Sequence, residues 1–209
     1  MVYINELTQE NVSKNRLERI TNRWVGHFSN KNDKNKTSEQ EIIGRRIWKK
    51  SRVDEYWIYL GWFQTNSYES ALSSSLAQIT RIAPDTAYIT FYQIKEETKI
   101  DPFEWKKDEP FEQLKRSDLE ACRTSCGSFI VERSDGSCEV VANGPCYSPI
   151  SNQIKYYKID ATLTASNILF HTKFLDKHFN VLIAYKNNVF SRFTRSELKK
   201  KYENFALID

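Results

Sequence analysis

The sequence predicts an all-β protein with minor α content: a lipocalin-like (calycin) antiparallel β-barrel of about ten strands, preceded by one N-terminal amphipathic helix. Three observations carry this. Beyond residue 40 the apolar residues recur mostly at every second position, the period of a strand. Segments of this kind follow one another with turn residues between them, and without the intervening helices of a parallel sheet. The aromatic share is 13%, with 12 Phe, 11 Tyr and 5 Trp, a composition suited to half-buried pleated surfaces. Closure into a barrel removes the exposed edges that so many strands would otherwise leave, and the interior of such a barrel is wide enough for one small ligand.

The helix comes first. Leu17, Ile20, Trp24 and Phe28 recur at steps of three and four and form one apolar stripe. Thr8 or Ser13 supplies a candidate cap. Gly26 weakens the last turn, and SNKNDKNKTS then provides a hydrated loop with nothing to bury. EIIGRRIWKK, EYWIYLGWFQT, SALSSSLAQITRI and AYITFYQI read as the first four strands. In the second of these, Tyr56, Ile58, Leu60 and Trp62 share one face while Trp57, Tyr59 and Phe63 share the other. A strand so apolar on both sides should be covered twice, once by the barrel interior and once by the helix or another layer. DPFEWKKDEPFEQLKRSDLEAC interrupts with two prolines and short helical fragments. GSFIVERS, CEVVAN, KYYKIDATLT, NILFHTKF, NVLIAYK and NVFSRFTR resume the strands, with turns at Ser134-Asp135-Gly136 and Asn187-Asn188. SELKKKYENF closes as a short helix. No internal repeat or boundary divides residues 1–209, so one domain is expected, with the Pro/Lys/Asp-rich middle as an insertion between two halves of the barrel.

Charge excludes some function classes. The net charge of +4 arises from 31 basic and 27 acidic residues, largely interspersed, whereas a nucleic-acid binder concentrates its basic residues in a stripe. No apolar run reaches the length needed to cross a bilayer, and MVYINELTQEN lacks a secretory core. The expectation is a soluble, cytoplasmic protein with no membrane insertion. Cys122, Cys126, Cys138 and Cys146 fall in one stretch, but their spacing matches no common zinc signature and His27, His171 and His178 lie elsewhere. No metal is expected. Buried thiols packing as small hydrophobes are the plain reading, with a disulfide between two of them left open. Nucleotide-binding loops, metalloprotease helices and nucleophile elbows are absent. Motifs alone stop at a barrel that carries a ligand.

LERITNRWVGHFSN resembles the start of the CpcT/CpeT chromophore lyases, the T-type phycobiliprotein lyases, in which a helix ends in an aromatic-x-Gly-x-Phe-Ser-Asn motif before the first strand. Later landmarks keep the same order: Trp57-Ile58-Tyr59, Arg81-Ile82, Cys122 ahead of Phe129, and Cys146, Tyr156 and Asp160-Ala161-Thr162-Leu163-Thr164. The chain departs from the family at WIYLGW, at Ser74–Gln78 and at HTKFLD. The resemblance implies a protein that binds an open-chain tetrapyrrole, a bilin such as phycoerythrobilin or phycocyanobilin. It also implies help with thioether attachment to a cysteine of a phycobiliprotein β-subunit, and a homodimer joined through a barrel face such as YWIYLGWF. The alternative is a lipocalin-like bilin carrier without transfer.

A bilin presents a conjugated face, two propionates and pyrrole N–H donors. These call for aromatic stacking, arginine forks and a carboxylate. Under the resemblance the candidates are the aromatics Trp48, Tyr59, Trp62, Tyr88, Tyr92 and Tyr156, with Gln78. The candidate bases are Arg45, Arg46, Arg81 and Arg133; the acids are Glu132 and Asp160, the latter as catalytic acid. The plain alternative for each arginine is a solvated surface position, and for each tyrosine ordinary strand packing.

Overall fold

The structure, a computed structural model, describes residues 16–34, 38–48, 54–65, 73–95, 109–147 and 151–192. Thr8, Ser13, residues 96–108 and the C-terminal SELKKKYENF lie outside the described residues. Helix α1 (residues 16–24) is followed by β1 (Gly26–Ser29), β2 (Gln40–Ile47), β3 (Glu55–Gln64), β4 (Ser73–Arg81) and β5 (Thr86–Ile94). A short helix α2 (Glu109–Gln113), a 3-10 turn and β6 (Leu119–Ala121) come next. The chain continues through β7 (Ser128–Glu132), β8 (Cys138–Ala142), β9 (Cys146–Tyr147), β10 (Tyr156–Leu163), β11 (Asn167–Leu175) and β12 (Val181–Arg192).

Ten of these strands close into an antiparallel barrel in the order β1-β2-β3-β4-β5-β7-β8-β10-β11-β12, with β12 returning to β1 through Phe28↔Arg192. β6 pairs with the far end of β5, and β9 with the start of β10. The predicted turn at Asn187-Asn188 is absent. β12 runs straight through it, and a register shift between Phe170 and Thr172 of β11 takes up the extra residue on the β12 side.

Phe28 belongs to β1, so the helical stripe is shorter than the spacing suggests. α1 ends at Trp24, and Gly26, at φ 142°, turns the chain sharply into the first strand. Gly44 of β2 allows α1 to come this close, because a Cβ there would stand 1.7 Å from the Trp24 carbonyl oxygen. Leu17, Ile20 and Trp24 are buried in one core with the inward residues Tyr56, Ile58, Ile79, Ile89, Ile130 and Leu163, so α1 stoppers one end of the barrel. Its polar side is tied to the rim. Arg19 makes a two-pronged contact with Glu132 at 3.0 and 3.1 Å, Arg16 reaches the Pro84 carbonyl, and Arg23 reaches that of Gly136 in the β7–β8 turn.

Of the two covers expected over β3, the helix or another layer, the structure supplies the second, and it is the insertion. Phe111, Leu114 and Leu119 bury the outer face made by Ile47, Trp57, Tyr59 and Leu76. This leaves no free β3 face for pairing a second barrel, contrary to the expectation that YWIYLGWF serves as a dimer surface. Exposed apolar side chains gather elsewhere, at Phe179, Val181, Leu182, Ile183 and Tyr185. Among the described residues no helix is long and apolar enough to cross a membrane.

Candidate functional site

Alternation along the strands decides what faces inward. Leu60 and Trp62 of β3 continue the inward register of Tyr56 and Ile58 past the end of the α1 plug. Phe91 of β5, Val140 and Ala142 of β8, Tyr157, Ile159 and Ala161 of β10, and Phe170 of β11 do the same on their strands. Together they enclose a cavity of about 240 Å³ that is floored by Trp24 and reaches Gln93, Cys122 and Cys146 at the end away from α1. Trp62 is held by two rings, Phe170 at 5.4 Å and Phe190 at 5.5 Å, while its indole N–H donates to Gln40 at 3.2 Å. No Arg, Lys, Asp or Glu is among the described residues that line the cavity.

Of the residues singled out from the sequence, Trp62 lines this cavity. Tyr59 and Tyr92 face outward into the layer beneath the insertion, where burial pushes the Tyr59 hydroxyl up to about 12. Trp48 lies there too, its indole N–H donating to the Phe111 carbonyl at 2.8 Å. Gln78 sits in an outer chain of hydrogen bonds: Tyr92 donates to it at 2.9 Å, and it donates to Glu55 at 2.7 Å. Burial alone would raise the Glu55 carboxyl, yet the Gln78 amide and the Arg116 guanidinium hold it below the usual carboxylate range.

Tyr88 also points out, stacked edge-on against Phe129 and donating to the Thr124 carbonyl at 3.1 Å. Arg46 faces inward but at the stoppered end, 4.1 Å over the Tyr56 ring and paired with Glu18 of α1. Arg45 is on the outer face near Phe111. Arg81 pairs with Asp54 at that same stoppered end, and Arg133 pairs with Glu139 on the exposed surface. Asp160 lies on the outside of β10, where it accepts the Ala142 backbone N–H at 2.9 Å and ties down the end of β8. Tyr156 stands outside the wall near the end away from α1, between Tyr147 and Phe179. The expected set therefore does not converge on one pocket. Glu132 is engaged with Arg19 and Arg16, which outweigh its burial and lower its pKa.

Several lining residues went unread in the sequence. Leu60 shares the Trp62 face, and Tyr157 shares that of Ile159 and Ala161, so the period-two pattern carried a signal for both. Cys122, Cys126 and Cys146 also line the cavity, with Cys126 and Cys146 joined in a disulfide, the possibility left open above. Arg123, next in the chain to Cys122, stacks over Tyr147 at 5.4 Å at the end away from α1. Among the described residues no group of three or more His, Cys, Asp or Glu is placed to hold a metal ion.

No protein-family model matches the chain, and no curated protein matches its sequence. Among solved structures it is similar to the selenomethionine form of the CRL protein of Arabidopsis, with a TM-score of 0.61 at 12% identity over 87% of this chain and 99% of that one. At that identity the likeness is one of fold: the chain is a lipocalin-like antiparallel barrel.

Proposed function

We propose that this protein is a bilin-binding chaperone of the T-type lyase kind. It holds phycoerythrobilin or phycocyanobilin in the open end of the barrel and presents it to a cysteine of a phycobiliprotein β-subunit. The observation that carries the reading is a barrel closed at one end by α1 and holding, toward the other, a cavity whose described lining is aromatic and uncharged. At about 240 Å³ the cavity is below the ~300–1,000 Å³ typical for a drug-sized ligand. A tetrapyrrole therefore enters end-first. One terminal ring packs among Trp62, Phe91, Tyr157 and Phe170, while the propionates stay in water at the rim, within the neighbourhood of Arg123 and Tyr147.

The acceptor thiol belongs to the partner, so the barrel acts by fixing the bilin's conformation and excluding water. A carrier without transfer is the second reading. It is favoured by the outward position of Asp160 and by the absence of any carboxylate or cation among the described lining residues. The protein works in the cytoplasm on this reading. The homodimer of this reading uses the exposed Phe179–Tyr185 surface.

Titration with either bilin, followed by absorption, tests binding: a sharpened, red-shifted band is expected, and an unchanged spectrum at micromolar protein overturns both readings. Addition of apo β-subunit separates the two. A chaperone-lyase leaves a covalent adduct that survives denaturation; a carrier leaves none.

A further inference from the structure

Three of the four cysteines converge on the part of the cavity away from α1. Cys126 and Cys146 are bridged across a sequence separation of 20 residues, with Cα atoms 4.6 Å apart, and Cys122 is a free, half-buried thiol in the same wall. The bridge joins two short segments: the 3-10 turn Thr124–Cys126 between β6 and β7, and the two-residue strand β9. Among the described residues, Tyr88 also donates to the Thr124 carbonyl at 3.1 Å, and Arg123 stacks over Tyr147 at 5.4 Å. Asn143 donates its backbone N–H to the Gly127 carbonyl at 2.8 Å and its side-chain amide to that of Thr124 at 3.2 Å, and β9 meets β10 through Tyr156↔Tyr147 and Tyr157↔Cys146. Segments this short, held near solvent by single hydrogen bonds and ring contacts, have low local stability once a cross-link is removed.

We propose that the Cys126–Cys146 bridge is a redox-operated clasp on the mouth of the cavity, and that its reduction lets the two segments part and admits ligand. The clasp rests on the cavity being the ligand site and adds control of access to it. The chemistry is exchange with a dithiol reductant. One thiolate of the reductant attacks a bridge sulfur and the S–S bond breaks. Its second thiol then resolves the mixed disulfide, leaving the reductant oxidised and Cys126 and Cys146 as thiols. In a reducing compartment, disulfides persist mainly as transient or sensing bonds of this type.

The protein carries its own reporter and control. Cys122 lines the mouth. Cys138 lies at the start of β8 beside α1, 1% exposed, and burial pushes its thiol up to about 11. The test alkylates native, unreduced protein and the Cys126→Ser/Cys146→Ser double variant with N-ethylmaleimide, reading each cysteine by peptide mass spectrometry. The expected result is a Cys122 rate raised roughly five-fold or more in the double variant, following access, with the Cys138 rate unchanged. Equal Cys122 rates overturn the clasp. So does acceleration of both cysteines together, because the bridge then holds the whole barrel rather than its rim. Alkylation of Cys126 and Cys146 in unreduced wild-type protein also overturns it. No bilin enters the measurement, so a bilin that fails to bind leaves this result readable and sinks only the ligand reading.

Discussion

Filling the cavity from its own wall separates a ligand site from an accidental void. Ala161 is 3% exposed, in the middle of β10, opposite Val140 on one side and Phe170 on the other, and it faces the cavity. Ala161→Phe sends a phenyl ring inward. A cavity of about 150 Å³ accommodates a benzene molecule, so such a ring removes more than half of the 240 Å³ available here. Because the ring enters space that is already empty, the stability cost should lie at the low end of the overpacking range, about 1 kcal/mol. Bilin affinity should fall by at least about tenfold, the equivalent of 1.4 kcal/mol. Guanidinium unfolding followed by tryptophan fluorescence gives the first quantity, and absorption titration gives the second. A folded Ala161→Phe protein that binds bilin as tightly as wild type would refute the interior site.

Three further substitutions test the frame around that site. Gly44→Ala should displace α1 from the barrel end, because the added Cβ meets the Trp24 carbonyl; a loss of more than about 2 kcal/mol in chemical denaturation is expected. Leu76→Ala, fully buried beneath the insertion, should cost about 2–5 kcal/mol while leaving bilin affinity unchanged, since Leu76 is outside the cavity. Glu132→Gln should cost about 1–2 kcal/mol at pH 7, discounted because Arg16 and Arg19 are 34% and 52% exposed. The Glu132 carboxyl is lowered in the folded protein, so its contribution is complete above about pH 4.3, the ordinary glutamate value, and disappears as pH falls through the lower folded value. Urea midpoints at pH 7 and pH 3 should therefore differ less for Glu132→Gln than for wild type.

Much of the fold was legible because it rests on local patterns. Period-two alternation located β2, β3, β4, β5, β7, β8, β10 and β11, and the doubly apolar β3 announced the second layer that Phe111, Leu114 and Leu119 supply. β1, β6 and β9 were too short to show a period. Asn187-Asn188 misled because turn residues inside a long strand next to a bulge look the same as a turn. The site was far less legible. A strand pattern gives two faces but not which one is inside, and the candidates drew on both. Tyr59 and Trp62 lie on opposite faces of β3, as do Gln78 and Arg81 on β4, so neither pair can share a pocket whichever way the sheet turns. The disulfide and the part played by Arg123 depend on where β9 docks, a long-range pairing that no local signal reports.

The location of charge narrows the chemistry further. Arg46 and Arg81 are at the stoppered end, engaged with Glu18 and Asp54, and Asp160 is spent on the backbone of β8. A dianionic pigment drawn wholly inside would bury two carboxylates with no cation among the described lining residues, a cost of several kcal/mol per ion. Leaving the propionates in water avoids that cost entirely. On the proposed bilin reading, the same uncharged wall would set the direction of entry, and would keep the rest of the chromophore outside, where an acceptor protein could reach it. For transfer, the ring carrying the reactive double bond must be the one at the rim, with the opposite end of the bilin buried. A bound bilin whose rim ring still reacts with a small free thiol would support this orientation; one protected from thiols along its whole length would exclude it.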